Sequence, residues 1–150
     1  MAVLSGVGLY CLSLVLYHEA RGEHTMGQFA VASVVLHRVE KKYGKEYVLT
    51  DAGICSIMAE KKQFSFTNNQ LVKIEGGWKI KPSLFPKDRQ AWNNSVKIAK
   101  TSLYMYSKGN GVDFSKGATH YHAKTVSPYW SEIFGITAII GGHVFYKEKR

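Results

Sequence analysis

Only two cysteines and three prolines occur in 150 residues, and Cys11 and Cys55 form no C-x-x-C pair. That spacing excludes a paired-thiolate zinc site and a thioredoxin-type redox motif, and two cysteines do not make a disulfide framework. Both lie in apolar helical patterns, so buried free thiols are expected. Also missing are H-E-x-x-H, the G-x-S-x-G elbow of a serine hydrolase, a P-loop, a zinc finger and an RNP-type aromatic motif. The longest apolar stretch, "AVLSGVGLYCLSLVLY" (2–17), falls short of the ~20 residues that span a bilayer, and no Lys or Arg precedes it as in a signal peptide. Its second half reads as a core helix, and no stable membrane insertion is expected.

Acidic residues are scarce as well, 11 against 20 Lys plus Arg, which leaves a formal net charge of +9. The excess is spread along the chain and favours an anionic partner: nucleic acid, an anionic membrane or a bacterial envelope. With no nucleic-acid motif present, only charge and aromatic content speak for the first of these. The length fits one domain with a real core, and no repeat or linker divides it, so residues 1–150 read as a single domain.

Leu9, Leu12, Val15 and Leu16 fall on a helical stripe, and continuing the spacing brings Glu19 onto the same apolar side. "HEARGEHT" (18–25) then closes the helix near Gly22. "TMGQ" (25–28) reads as a capping box opening a second helix that stops near Gly44. Asp51 is positioned to cap a third, "QFSFTNNQ" (63–70) reads as loop, and residues 71–86 as a short hairpin or irregular excursion. A further helix follows Pro86 and ends at Gly109 or Gly111. "ATHYHA" alternates like a strand, and "TAIIGGHVFY" reads as a β segment broken at Gly141–Gly142. The pattern predicts an α+β fold, mostly helical, with a small β element near the C-terminus.

An apolar surround disfavours a charged carboxylate, so Glu19 has two readings: a buried structural ion pair, with Arg21 or another cation, or a carboxyl whose raised pKa lets it donate a proton. Periodicity does not choose between them. Glu23 follows at i+4, but both carboxylates would project from one side, whereas paired-carboxylate glycosidases flank the scissile bond. Glu23 therefore reads as an orienter of the turn. His120 and His122, alternate on a strand, with His143 on a later one, form a rival three-histidine zinc set. A third reading is a non-catalytic basic module for an anionic polymer.

Taken in order, "LVLYHEARGEHTMGQFAVASVVLHRV" (14–39), "QFSF" (63–66), "GATHYHAKTVSPYW" (117–130) and "IIGGHVFY" (139–146) resemble the SleB-type cell wall hydrolases, the spore cortex-lytic enzymes and their relatives, bacteriophage homologues included. The resemblance implies a lysozyme-like α+β fold acting on peptidoglycan glycan strands. It implies one essential glutamate, the first of E-A-R-G-E, which is Glu19 here. The activity it implies is lytic transglycosylation between N-acetylmuramic acid and N-acetylglucosamine, with lysozyme-type hydrolysis as the alternative and a zinc-dependent amidase as a more distant one. By the same match Gln63, Phe64, His120 and Tyr121 face the cleft and, with Glu23, make up the expected substrate-binding residues, while Arg38 and Trp130 are structural. No cofactor or metal is implied. The expected partners are peptidoglycan and anionic envelope polymers, for a monomer acting at the wall as a phage endolysin or virion-associated lysin. His37 and His122 stand where the family usually has Asn, and residues 71–86 have no counterpart in it.

Overall fold

The computed structural model describes residues 6–60, 71–74, 77–80, 86–109 and 111–148. Helix α1 (Gly6–Ala20) carries no charge before its last turn and is buried without interruption from Cys11 to Tyr17. The expected stripe is thus a helix enclosed on all sides, with α2 (Thr25–Tyr43), α3 (Asp51–Ala59) and α4 (Arg89–Lys108) packed around it. An apolar helix wrapped by three others removes most of its surface from water, at about 25 cal/mol per Å² of apolar area.

Two helix starts differ from the sequence reading. His24, not Thr25, occupies the N-cap of α2 and makes no side-chain cap bond. Gln28 is drawn instead to the Glu23 carbonyl, its amide donating over 2.9 Å, while its oxygen accepts from Asn94 of α4 at 3.1 Å. A buried amide satisfied at both ends outcompetes an exposed capping box. At α3, Thr50 is the cap, accepting from Gly53 N at 3.0 Å. Asp51 caps another element, its carboxylate accepting from Gly8 N in the first turn of α1 at 2.8 Å.

The expectation of free thiols is also overturned. Cys11 of α1 and Cys55 of α3 form a disulfide across 44 residues, their Cα atoms 5.4 Å apart. Apolar periodicity buries both residues but is blind to their meeting, which depends on how α3 folds back on α1.

Strands β1 (Leu71–Ile74) and β2 (Gly77–Ile80) pair antiparallel. Helix α4 starts at the Asp88 cap and ends at Gly109, which takes the left-handed conformation (φ 68°). Its entry is pinned to α1, because the Tyr17 hydroxyl accepts from the backbone N–H groups of Lys87 and Asp88. Strands β3 (His120–Ala123), β4 (Gly135–Ile140) and β5 (His143–Lys147) form an antiparallel sheet in the order β3-β5-β4. Residues paired across strands share a face, so Tyr121, Phe145, Ala138, His143 and Ile140 look inward to the helices. His120, His122, Val144 and Tyr146 lie on the opposite face, where Trp130 packs on the buried Tyr146.

Candidate active site

The last turn of α1 carries Glu19 out of the apolar run and leaves it half-buried. Tyr121, at the middle of β3, donates its hydroxyl to Glu19 Oε1 at 2.8 Å across 102 residues of sequence. Among the described residues, that is the one hydrogen bond to this carboxyl. Burial raises the Glu19 pKa above the usual carboxylate value, and the Tyr121 bond pulls against it. The phenol is itself pushed well above its ordinary value by burial and by Glu19. A carboxyl so placed holds its proton further towards neutrality than an exposed one, beside a donor poised to stabilise the carboxylate left behind. Arg21 does not pair with it: its guanidinium donates to the Tyr17 carbonyl and lies over the Tyr17 ring.

Glu23 does different work. Its Oε1 accepts from Gly142 N at 2.8 Å, fastening the β4–β5 turn to the turn between α1 and α2. His143 lies beside the same oxygen at 3.6 Å, too long for a hydrogen bond, and its ring meets Tyr121 edge-on at 5.1 Å. Three glycines make room for this carboxylate. A Cβ on Gly141 would come 2.5 Å from Glu23 Oε1, one on Gly142 3.0 Å from Oε2, and one on Gly27 3.4 Å from its Cβ. Gly141 also has φ 55°, a conformation that side chains disfavour. The glutamates of E-A-R-G-E are thereby separated: Glu19 faces Tyr121, and Glu23 is held by a backbone N–H.

His120 is not part of this cluster. Strand alternation turns it to the outer face, against Trp130 (5.0 Å) and Phe134 (4.8 Å). There it lines a recess of about 290 Å³ with Arg38, Lys41, Lys42, Glu60 and Glu148. Burial and the nearby Arg38 charge lower its pKa to about 4, so it is neutral at physiological pH. His122 shares that outer face, bonded to the Ala123 carbonyl and the Tyr146 hydroxyl, whereas His143 is on the inner one. The rival zinc set is therefore divided by the sheet, and among the described residues no other group of His, Cys, Asp and Glu gathers as metal ligands. Gln63 and Phe64 lie outside the described residues.

A family model for cell wall hydrolases matches residues 22–146. The chain belongs to the cell wall hydrolase family. Glu19 lies just before the matched span. Two solved structures share the fold. The catalytic domain of the germination-specific lytic transglycosylase SleB from Bacillus anthracis is 22% identical with a TM-score of 0.63, over 95% of this chain and 96% of that one. The SleB catalytic domain of Bacillus cereus is 21% identical with a TM-score of 0.62, over 96% and 92%. Comparison with curated proteins returns no match. This cell wall hydrolase thus has a SleB-like fold, mostly helical with a small C-terminal antiparallel sheet. Among its described residues no helix is long and apolar enough to cross a membrane.

The sequence singles out Glu19 and Tyr121 without joining them, offers His143 only as a metal ligand, and does not reveal the Glu23 cradle. The signal for that cradle was present in the glycines at 27, 141 and 142, which show their purpose only once β4–β5 folds over the start of α2.

Proposed function

We propose that this hydrolase cleaves the glycan strand of peptidoglycan between N-acetylmuramic acid and N-acetylglucosamine as a lytic transglycosylase, with Glu19 as its single acid and base. The observation that carries the reading is the half-buried Glu19 carboxyl bonded to the Tyr121 hydroxyl, while the neighbouring Glu23 carboxylate is occupied by Gly142 N. A mechanism with two working carboxylates needs both free to flank the scissile bond. One with a single carboxyl needs only that it give up a proton and take one back.

In that sequence protonated Glu19 donates to the glycosidic oxygen as the C1–O bond breaks, and the N-acetylglucosamine hydroxyl departs. Positive charge grows on C1 and the ring oxygen of the muramic acid. The Glu19 carboxylate, stabilised by Tyr121, then removes the proton from that sugar's own 6-hydroxyl as the oxygen bonds to C1. The product is a 1,6-anhydro end, and Glu19 is returned protonated. The basic surface, at +9, suits an envelope rich in carboxylate and phosphate.

Digestion of purified sacculi followed by mass spectrometry of the muropeptides tests the assignment. Anhydro-muramic ends support it, reducing ends make the enzyme a muramidase, and cut peptide stems with intact glycan overturn it. Glu19→Gln is expected to lose lysis with its melting temperature retained. Glu23→Gln is expected to keep measurable activity with a lowered melting temperature, and the opposite pattern would reverse the roles of the two residues.

A further inference from the structure

His37, on α2, makes two contacts that a neutral imidazole cannot satisfy together. Its Nδ1 lies 2.8 Å from the Ala118 carbonyl and its Nε2 lies 3.1 Å from Asp113 Oδ2. Both partners only accept, so satisfying the two contacts at once takes a proton on each ring nitrogen, the imidazolium form. In either neutral tautomer one lone pair faces an oxygen, and that side of the contact opens.

The loop so held is knotted on Asp113, whose carboxylate also accepts from Ser115 N and Oγ and from Gly117 N. Lys116 and Gly117 take left-handed conformations to close it (φ 55° and 83°). Ser115 and Ala118 are fully buried, and Thr119 N begins the pairing with β5 by donating to Tyr146 O. The chain then enters β3, and Tyr121 is the second residue of that strand. His37 thus grips the strand at its root, three residues before the hydroxyl that reaches Glu19.

His37 and Asp113 line an open groove of about 540 Å³ between α2 and α4, so protons reach the pair from solvent. The charged and titratable groups around His37 are Asp113 of the loop, Glu40 on α2, Tyr106 and Lys108 of α4, and Lys45 beyond α2. Tyr106 donates to Glu40.

We propose that the His37 imidazolium is a pH-operated clasp, a positioning residue that sets Tyr121 on Glu19 by holding the 113–118 loop against α2, and that releases this alignment when it deprotonates. Burial disfavours the charge on His37, but the Asp113 and Ala118 hydrogen bonds and the charges of Asp113 and Glu40 outweigh it, leaving its pKa above the usual histidine value. Asp113 is held well below the carboxylate range by the same pairing and by Ser115 and Gly117, despite burial. For a histidine with its folded pKa raised, the added stability is complete below about pH 6.5 and is lost as pH rises through the folded value. The clasp is closed on the acidic side and opens towards alkaline pH.

The inference rests on the proposed role of Glu19, and its test separates the two. In the wild-type protein, NMR titration from about pH 5 to pH 9 should show the Tyr121 ring signals moving with the midpoint of the His37 imidazole, and His37→Asn should abolish that step. Asn keeps one N–H for Ala118 O and cannot be charged. With peptidoglycan as substrate, the ratio of wild-type to His37→Asn kcat should be about threefold to tenfold at the acidic end and fall towards one at the alkaline end, with KM little changed. Release of Tyr121 also raises the Glu19 pKa, so each protein's own Glu19 limb is fitted and removed before the ratio is taken. A Tyr121 signal blind to His37 titration, or a kcat ratio independent of pH, overturns the clasp. Coupled Tyr121 and His37 titrations in a protein that cleaves no glycan at any pH uphold the clasp and overturn the reading of Glu19.

Discussion

Replacing Tyr121 with Phe removes the hydroxyl that donates to Glu19 Oε1 and keeps the ring that packs on His143 and Phe145. A hydrogen bond to a charged acceptor is worth about 1.5–3 kcal/mol net. Here it favours the Glu19 carboxylate over the acid, against the burial that favours the acid. Its loss therefore raises the Glu19 pKa further. In the proposed reaction, donating the proton leaves the carboxylate behind, so the bond strengthens as the glycosidic link breaks. Losing a contact that strengthens towards the transition state slows the step by about tenfold to a hundredfold. Two effects should therefore appear together: kcat falls, and the alkaline limb, along which the acid form titrates away, moves to higher pH. Muropeptide release measured from about pH 5 to pH 9, with a melting curve at each pH, reads both. A fold defect alone would lower the melting temperature and leave the limb where it was. An unchanged kcat with an unmoved limb, or a limb moved to lower pH, would refute the reasoning.

Two further perturbations address the frame around the site. Replacing Cys11 and Cys55 together with Ala opens a crosslink spanning 44 residues, and the chain-entropy argument puts the loss at about 4 kcal/mol, the upper end of the usual range; an unchanged urea midpoint would show that α1 and α3 hold each other without it. Gly141→Ala places a side chain at positive φ and against Glu23 Oε1. The expected cost of about 2 kcal/mol or more should lower the melting temperature by ~4–8 °C and reduce activity through the displaced β4–β5 turn, as differential scanning calorimetry and a lysis assay would show.

How much of this was legible beforehand differs from residue to residue, for a physical reason. Helix ends at Gly44 and Gly109, the break at Gly141–Gly142 and the arrival of Glu19 on an apolar run all follow from local propensity and period. These are settled within a few residues of chain. Alternation along "HYH" already implied that His120 and His122 could not share a face with Tyr121, although the family resemblance placed His120 and Tyr121 together in the cleft. The capping box at Thr25 was locally sound and lost to a tertiary competitor, the buried bonds of Gln28 to Glu23 and Asn94. The contacts that build the candidate site and its frame span long stretches of chain: Tyr121 to Glu19, Glu23 to Gly142, His37 to Ala118 and Asp113, Cys11 to Cys55. Strand order β3-β5-β4 and the wrapping of α1 decide those meetings, and no local pattern encodes them. The chain itself determined that a carboxyl would stand at the end of an apolar helix. Only the tertiary structure brought a phenol to it and held the second glutamate away, because only the packed sheet carries those groups across the intervening sequence.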